Sequence, residues 1–140
     1  MANQSYTQLK KMLLDGGVNF DTDDIRVVPV QTSGGGTNYT FSAAHTNLGQ
    51  IVAGARTSAP VSLTNTTTTG GVFDADDISF ASMTNGLTTH GLAIYKYNAS
   101  EAAASLLYWF DTGISNFPHL GNGGALNIQW NASGIFSITG

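Results

Sequence analysis

Two acidic clusters hold the densest chemistry in this chain: Phe20-Asp21-Thr22-Asp23-Asp24-Ile25 and Phe73-Asp74-Ala75-Asp76-Asp77-Ile78. They share the order Phe-Asp-x-Asp-Asp-Ile and contain six of the nine acidic residues. Clustered carboxylates on a loop supply the hard oxygen ligands that Ca²⁺ takes. An EF-hand loop needs further ligands, a central glycine and a distal glutamate, and neither cluster continues that way. The plainer reading is that the aspartates accept hydrogen bonds from nearby backbone N–H groups in tight turns that lead into strands. Phe20 and Phe73 then anchor a core.

The other reactive residue types are sparse. His45, His90 and His119 lie far apart and show no H-x-x-x-H or H-E-x-x-H spacing for a metal. Serine is plentiful, yet no G-x-S-x-G elbow is present to expose a nucleophile. With no cysteine, thiolate metal sites, disulfides and a cysteine nucleophile are excluded. The glycine-rich runs at 33–37 and 121–124 lack the following Lys-Ser/Thr or helix of a phosphate cradle, so both read as loops. Asn38, Asn65, Asn98 and Asn131 sit in Asn-x-Ser/Thr triplets, which arise by chance in so Asn- and Thr-rich a chain. Tyr95, Tyr97, Tyr108, Trp109, Phe110, Phe117 and Trp130 could line a carbohydrate platform, although core packing is the simpler use of such rings. No enzyme, metal or cofactor is expected from these residues.

These groups must be positioned by 140 residues, enough for one domain with one core. Charged residues make up 10%, against the usual figure of about 25%. The net charge of −4 lacks the basic footprint of a nucleic-acid binder. Apolar runs such as residues 106–110 are far below the roughly 20 residues needed to cross a bilayer. The polar start of the chain lacks the order of a secretory signal, so no export is expected.

One helix is expected over residues 5–14, with Tyr6, Leu9, Met12 and Leu13 near one face, Ser5 or Thr7 as cap, and Gly16-Gly17 as stop. Beyond it, short runs rich in Val, Ile, Thr, Tyr and Phe alternate with turn residues. Strands are expected at 25–30, 39–43, 61–65, 77–83, 91–97, 105–111, 126–130 and 134–138. The last two should form a hairpin over Asn131-Ala132-Ser133-Gly134. The expected fold is therefore mainly β: a single antiparallel β-sandwich or jelly-roll-like domain, with an N-terminal arm and short helix (1–17) and a β core (18–140). The run at 65–71 reads equally as mobile loop or strand edge. The neutral, hydroxyl- and amide-rich surface suits permanent assembly, since little charge must be desolvated.

The order Lys-x-x-Leu-Leu-x-Gly-Gly-x-Asn-Phe-x-x-Asp-Asp-Ile-x-Val-x-x-Val over 10–30 is followed by Tyr-Thr-Phe-Ser-Ala-Ala-His-x-x-Leu-x-x-Ile-x-Ala-Gly-Ala-Arg over 39–56. Gly-Val-Phe-Asp-Ala-Asp-Asp-Ile-x-Phe comes next over 71–80, then Ala93-Ile94-Tyr95-Lys96, residues 107–113, Asn122-Gly123-Gly124, Ile128-Gln129-Trp130 and Gly134-Ile135-Phe136. Together these resemble a family of small virion structural proteins of tailed bacteriophages, across nearly the whole chain. Residues 33–37 and 47–50 depart from the family pattern.

The resemblance implies a non-enzymatic virion component assembled in the host cytoplasm. The expected role is a capsid decoration or cement protein, bound to the major capsid protein as a homotrimer at capsomer junctions. The alternative it leaves is a neck, tail or fibre module, with glycan binding through its aromatic rings. Partner contacts are expected from exposure at the N-terminal arm (Ala2, Asn3, Gln4, Ser5, Tyr6, Thr7) and at two loops. One loop is Ser33, Gly34, Gly35, Gly36 and Thr37; the other is Thr66, Thr67, Thr68, Thr69, Gly70 and Gly71.

Overall fold

The computed structural model describes residues 3–138. Its elements in chain order are β1 (Gln4–Ser5), α1 (Thr7–Asp15), β2 (Ile25–Val30), β3 (Val61–Ser62), β4 (Val72–Phe73), β5 (Ile78–Phe80), β6 (Thr88–Thr89), β7 (Gly91–Lys96), β8 (Ser105–Phe110), β9 (His119–Leu120), β10 (Leu126–Ile128) and β11 (Phe136–Ser137). The fold is mainly β, with one short N-terminal helix. A five-stranded antiparallel sheet runs in the order β1-β8-β7-β2-β3, and three short pairs (β10-β5, β11-β4, β6-β9) surround it.

β2, β7 and β8 are apolar on both parities because both faces of the sheet are covered. Ile25, Val27, Leu92 and Ile94 point to one face, against Leu9 and Met12 of α1 and against Phe73, Phe80, Leu126, Ile128 and Phe136 of the short pairs. Val28, Val30, Ala93, Tyr95, Leu106 and Trp109 point to the other face. There they meet Tyr39, Leu48, Ile51 and Ala55 from a segment built of two 3₁₀ turns (Leu48–Gln50, Ala53–Ala55) and irregular backbone. Pro29 is tolerated inside β2 because its missing N–H lies on the side away from β7, where its carbonyl accepts from Thr57 N–H at 2.9 Å.

A bulge reconciles the two faces in β8. Ile94 pairs with Tyr108 and Tyr95 with Leu106, so Leu107 is the extra residue. Leu107 and Tyr108 both turn to the face that carries Ile94.

Four expectations are corrected. Residues 39–43 form no strand: Tyr39 N–H bonds Gln31 O at 2.9 Å, and the segment serves as a cover whose Tyr39 ring is buried. The turn at 131–134 forms, with Gly134 N–H on Asn131 O at 2.9 Å, but its flanks do not pair with each other. β10 pairs with β5 and β11 with β4, because Trp130 is pinned to Asp77 Oδ1 through its backbone N–H (2.8 Å) and to Asp76 O through Nε1 (3.1 Å). The helix starts at Thr7, since Ser5 lies in β1 and Tyr6 is an extended cap with no side-chain cap bond. Gly16 stops it in the left-handed region at φ 75°, as its type suggests. Leu13, expected on the buried face, is 41% exposed, because Leu9 and Met12 alone meet the sheet.

Candidate partner interface

The acidic clusters are used locally. Asn19 N–H donates to Asp23 Oδ2 at 2.7 Å, Ala75 N–H to Asp74 Oδ1 at 2.9 Å, and Asn65 Nδ2 to Asp76 Oδ2 at 2.6 Å. The two clusters meet: Phe20 packs on Phe73 at 4.6 Å and on Phe136 at 5.6 Å, and Thr68 Oγ1 donates to the Asp21 carboxylate. Among the described residues no group of three or more His, Asp or Glu side chains stands where it could hold a metal ion. His45 bonds Tyr39 Oη at 2.8 Å, and His90 Nδ1 accepts from Thr32 N–H at 3.1 Å. His119, in β9, has a buried Nε2 without a hydrogen-bond partner among the described residues. No helix among the described residues is long and apolar enough to cross a membrane.

Hydrogen bonds from Arg26 to Asp24, from Arg56 to Glu101 and from Lys11 to Asp15 hold these three carboxyls below the usual carboxylate range. A depressed acid adds stability above its unfolded value and loses it as pH falls through the folded one. The thermal midpoint is therefore expected to be flat near neutrality and to drop below about pH 4. A midpoint that rises on acidification would contradict these pairs.

The rings considered for a sugar platform are mainly core. Tyr95, Trp109, Phe110 and Trp130 are buried, Tyr108 stacks on Phe136 at 4.6 Å, and the half-exposed Tyr97 ring is covered by the Arg26 guanidinium at 3.6 Å. A cleft of about 490 Å³ does lie between Phe41, Phe117, His90 and Asp111. Its two titratable side chains at the rim make local bonds: Asp111 accepts from Trp109 Nε1 and Thr112 Oγ1, and His90 faces Thr32 N–H and Ser33 Oγ.

The described part of the N-terminal arm is bonded to this chain's own sheet. Gln4 and Ser5 pair with Trp109 and Tyr108 of the same chain, and Asn3 Oδ1 accepts from Asp111 and Thr112 N–H. Tyr6, expected among the contacts, is wholly buried in this chain's own core with its hydroxyl 3.0 Å from that of Tyr39. Thr7 is exposed, and Ala2 lies outside the described residues.

Beside this arm runs a groove of about 650 Å³, lined by Asn3, Gln4, Ser5, Leu9, Lys10, Leu13, Leu14, Tyr108, Ser137 and Ile138. Leu14 is 91%, Ile138 54% and Leu13 41% exposed. Three of the large apolar side chains that face solvent thus converge on one place. Leu13-Leu14 was the available signal in the sequence, since a nine-residue helix packed on one side cannot bury both neighbours. Ile138 was not legible as a neighbour.

The two loops fall in different places. Gly71 O accepts from Ile138 N–H at 2.9 Å, so the exposed residues Thr67, Thr68, Thr69 and Gly70 adjoin the strand that ends in the groove, with Thr66 half-buried before them. Ser33, Gly34, Gly35, Gly36 and Thr37 are exposed at the C-terminal end of β2. This second loop is held by buried Gln31, whose Nε2 donates to Gly35 O (2.9 Å), Thr37 O (3.3 Å) and Asn38 Oδ1 (3.0 Å) while Oε1 accepts from Thr88 N–H (2.7 Å). Gln31→Leu keeps the volume and orphans these groups, so a loss of about 2–3 kcal/mol in chemical denaturation is expected. Faster amide exchange over 33–38 should accompany it, and unchanged protection there would contradict the role. No protein-family model matches this chain, and no curated protein matches it.

Proposed function

We propose that this chain is a non-enzymatic structural subunit of a tailed-phage particle: a decoration or cement protein that bridges capsomer junctions on the major capsid protein as a homotrimer. The observation that carries this reading is the apolar groove of Leu13, Leu14 and Ile138 beside the N-terminal strand, on a surface where charged residues are scarce. Exposed apolar groups gathered in one place favour a partner, because their burial releases free energy of about 25 cal/mol per Å². A low-charge rim adds little desolvation cost. The motif order along the chain supports the same family of roles.

The mechanism is mechanical. A shell under internal pressure fails where capsomers part, so a subunit that bridges a junction must be detached before they separate. Trimerisation joins three modest contacts, and effective concentration turns them into durable attachment. Imaging of intact particles is expected to place the subunit on the outer shell; a position at neck, tail or fibre would replace the cement role. Capsids stripped of the protein are expected to fail at lower temperature and milder osmotic shock than complete ones. Equal endurance would refute cementing.

A further inference from the structure

We propose that the cleft between Phe41 and Phe117 is a binding site for an uncharged saccharide. The assignment adds a ligand to the molecule and does not depend on where the subunit sits in a particle. At about 490 Å³ the cleft lies within the size range of small-molecule sites. Its lining combines ring surface with hydrogen-bonding groups of both senses. Phe41 and Phe117 are half-buried, so part of each ring stays open, and a pyranose packs its C–H face on such a surface. The Phe41 ring is held by its near-parallel stack on buried Trp109 at 5.8 Å.

The polar groups are fixed and keep capacity for a ligand. Asp111 Oδ2 accepts from Trp109 Nε1 at 3.0 Å and Oδ1 from Thr112 Oγ1 at 2.9 Å, which orients the carboxylate. A carboxylate has about four acceptor positions, so neighbouring hydroxyls of a sugar can still donate to it. His90 Nδ1 accepts from Thr32 N–H at 3.1 Å, so the neutral ring carries its proton on Nε2 and donates from there, 3.3 Å from the exposed Ser33 hydroxyl. Thr32 and Thr40 also line the cleft, and their hydroxyls make no hydrogen bond among the described residues. This set selects by charge. No Lys or Arg lines the cleft, so Asp111 disfavours an anionic ligand. The His90 donor disfavours a cation, and with Tyr39 and Trp109 buried, two part-open rings do not make the cage that holds an ammonium. A sugar hydroxyl both donates and accepts, so it complements Asp111 and His90 alike.

The test is an NMR titration of the isotope-labelled full chain with glucose, galactose, mannose, N-acetylglucosamine and their disaccharides, beside N-acetylneuraminic acid and choline as charged probes. At least one uncharged sugar is expected to give saturable shifts at Phe41, Asp111 and Phe117, half-complete at about millimolar concentration. Neither charged probe should shift them. Asp111→Asn, which keeps the shape and exchanges an acceptor for a donor, is expected to weaken binding about tenfold. Phe117→Leu, which keeps apolar bulk and removes the ring, should weaken it about threefold or more. Unchanged resonances away from the cleft show that each variant is folded, and the wild-type titration decides by itself if one is not. No shift with any uncharged sugar, shifts only outside the cleft, equal or stronger binding of a charged probe within it, or full affinity of folded Asp111→Asn would each overturn the assignment. None of these results bears on the structural role.

Discussion

Trp109→Ala is expected to lose about 3–5 kcal/mol of stability, the range for emptying a buried aromatic site. Trp109 is fully buried on the second face of the sheet, 5.5 Å from the Tyr39 ring and 5.8 Å from Phe41 in a near-parallel stack. Its Nε1 donates to Asp111 Oδ2 at 3.0 Å, and its ring fills the space over Gly91, where a Cβ would collide with it. The substitution therefore opens a cavity, unties Asp111 and loosens the cover provided by Tyr39 and Phe41. A domain of this size holds about 5–15 kcal/mol in all, so much of the margin goes. Chemical denaturation measures it. Trp109→Phe should lose less, since most ring contacts remain; a Trp109→Ala loss under about 1 kcal/mol would show that the site collapses freely and is not close-packed.

Arg56→Ala is expected to cost about 2–4 kcal/mol. The guanidinium is largely buried and donates from Nε to Ile51 O (2.8 Å), from Nη2 to Leu48 O (3.0 Å), and from Nη1 and Nη2 to both oxygens of Glu101 (2.9 Å each). It ties the two 3₁₀ turns that cover the sheet to the loop before β8. Lysine lacks the planar fork and cannot serve two carbonyls and a carboxylate together, so Arg56→Lys should recover only a small part. Denaturation midpoints and amide exchange over 48–57 provide the readout, and full recovery by lysine would reduce the role of Arg56 to its charge.

Local pattern was legible where a segment's own chemistry decides its form. β2 falls at 25–30 as its Val- and Ile-rich run suggests, and β7 and β8 lie within one residue of expectation. Gly16 ends the helix, and the aspartates of both clusters accept local hydrogen bonds while Phe20 and Phe73 join the core. Segments of two or three residues were less legible: β1, β4, β6 and β9 carry too few positions to show a period. At the candidate interface, the exposure of Gln4 and of most loop residues was anticipated, Tyr6 was read both on the helix's apolar face and among the contacts and only its burial holds, and the meeting of Leu13, Leu14, Lys10 and Ile138 was not legible.

The amino-acid order by itself determined a low-charge, cysteine-free, antiparallel β protein with one short N-terminal helix, because composition, strand propensity and turn residues act over a few neighbours. Tertiary structure alone decided which strands pair. It sent β10 to β5 and β11 to β4 rather than to each other, and it turned 39–55 into a lid over the sheet. Those choices depend on burying apolar area between residues distant in the chain, a quantity no local window contains. The groove is their remainder: the apolar side chains of Leu13, Leu14 and Ile138, which the other described residues leave exposed.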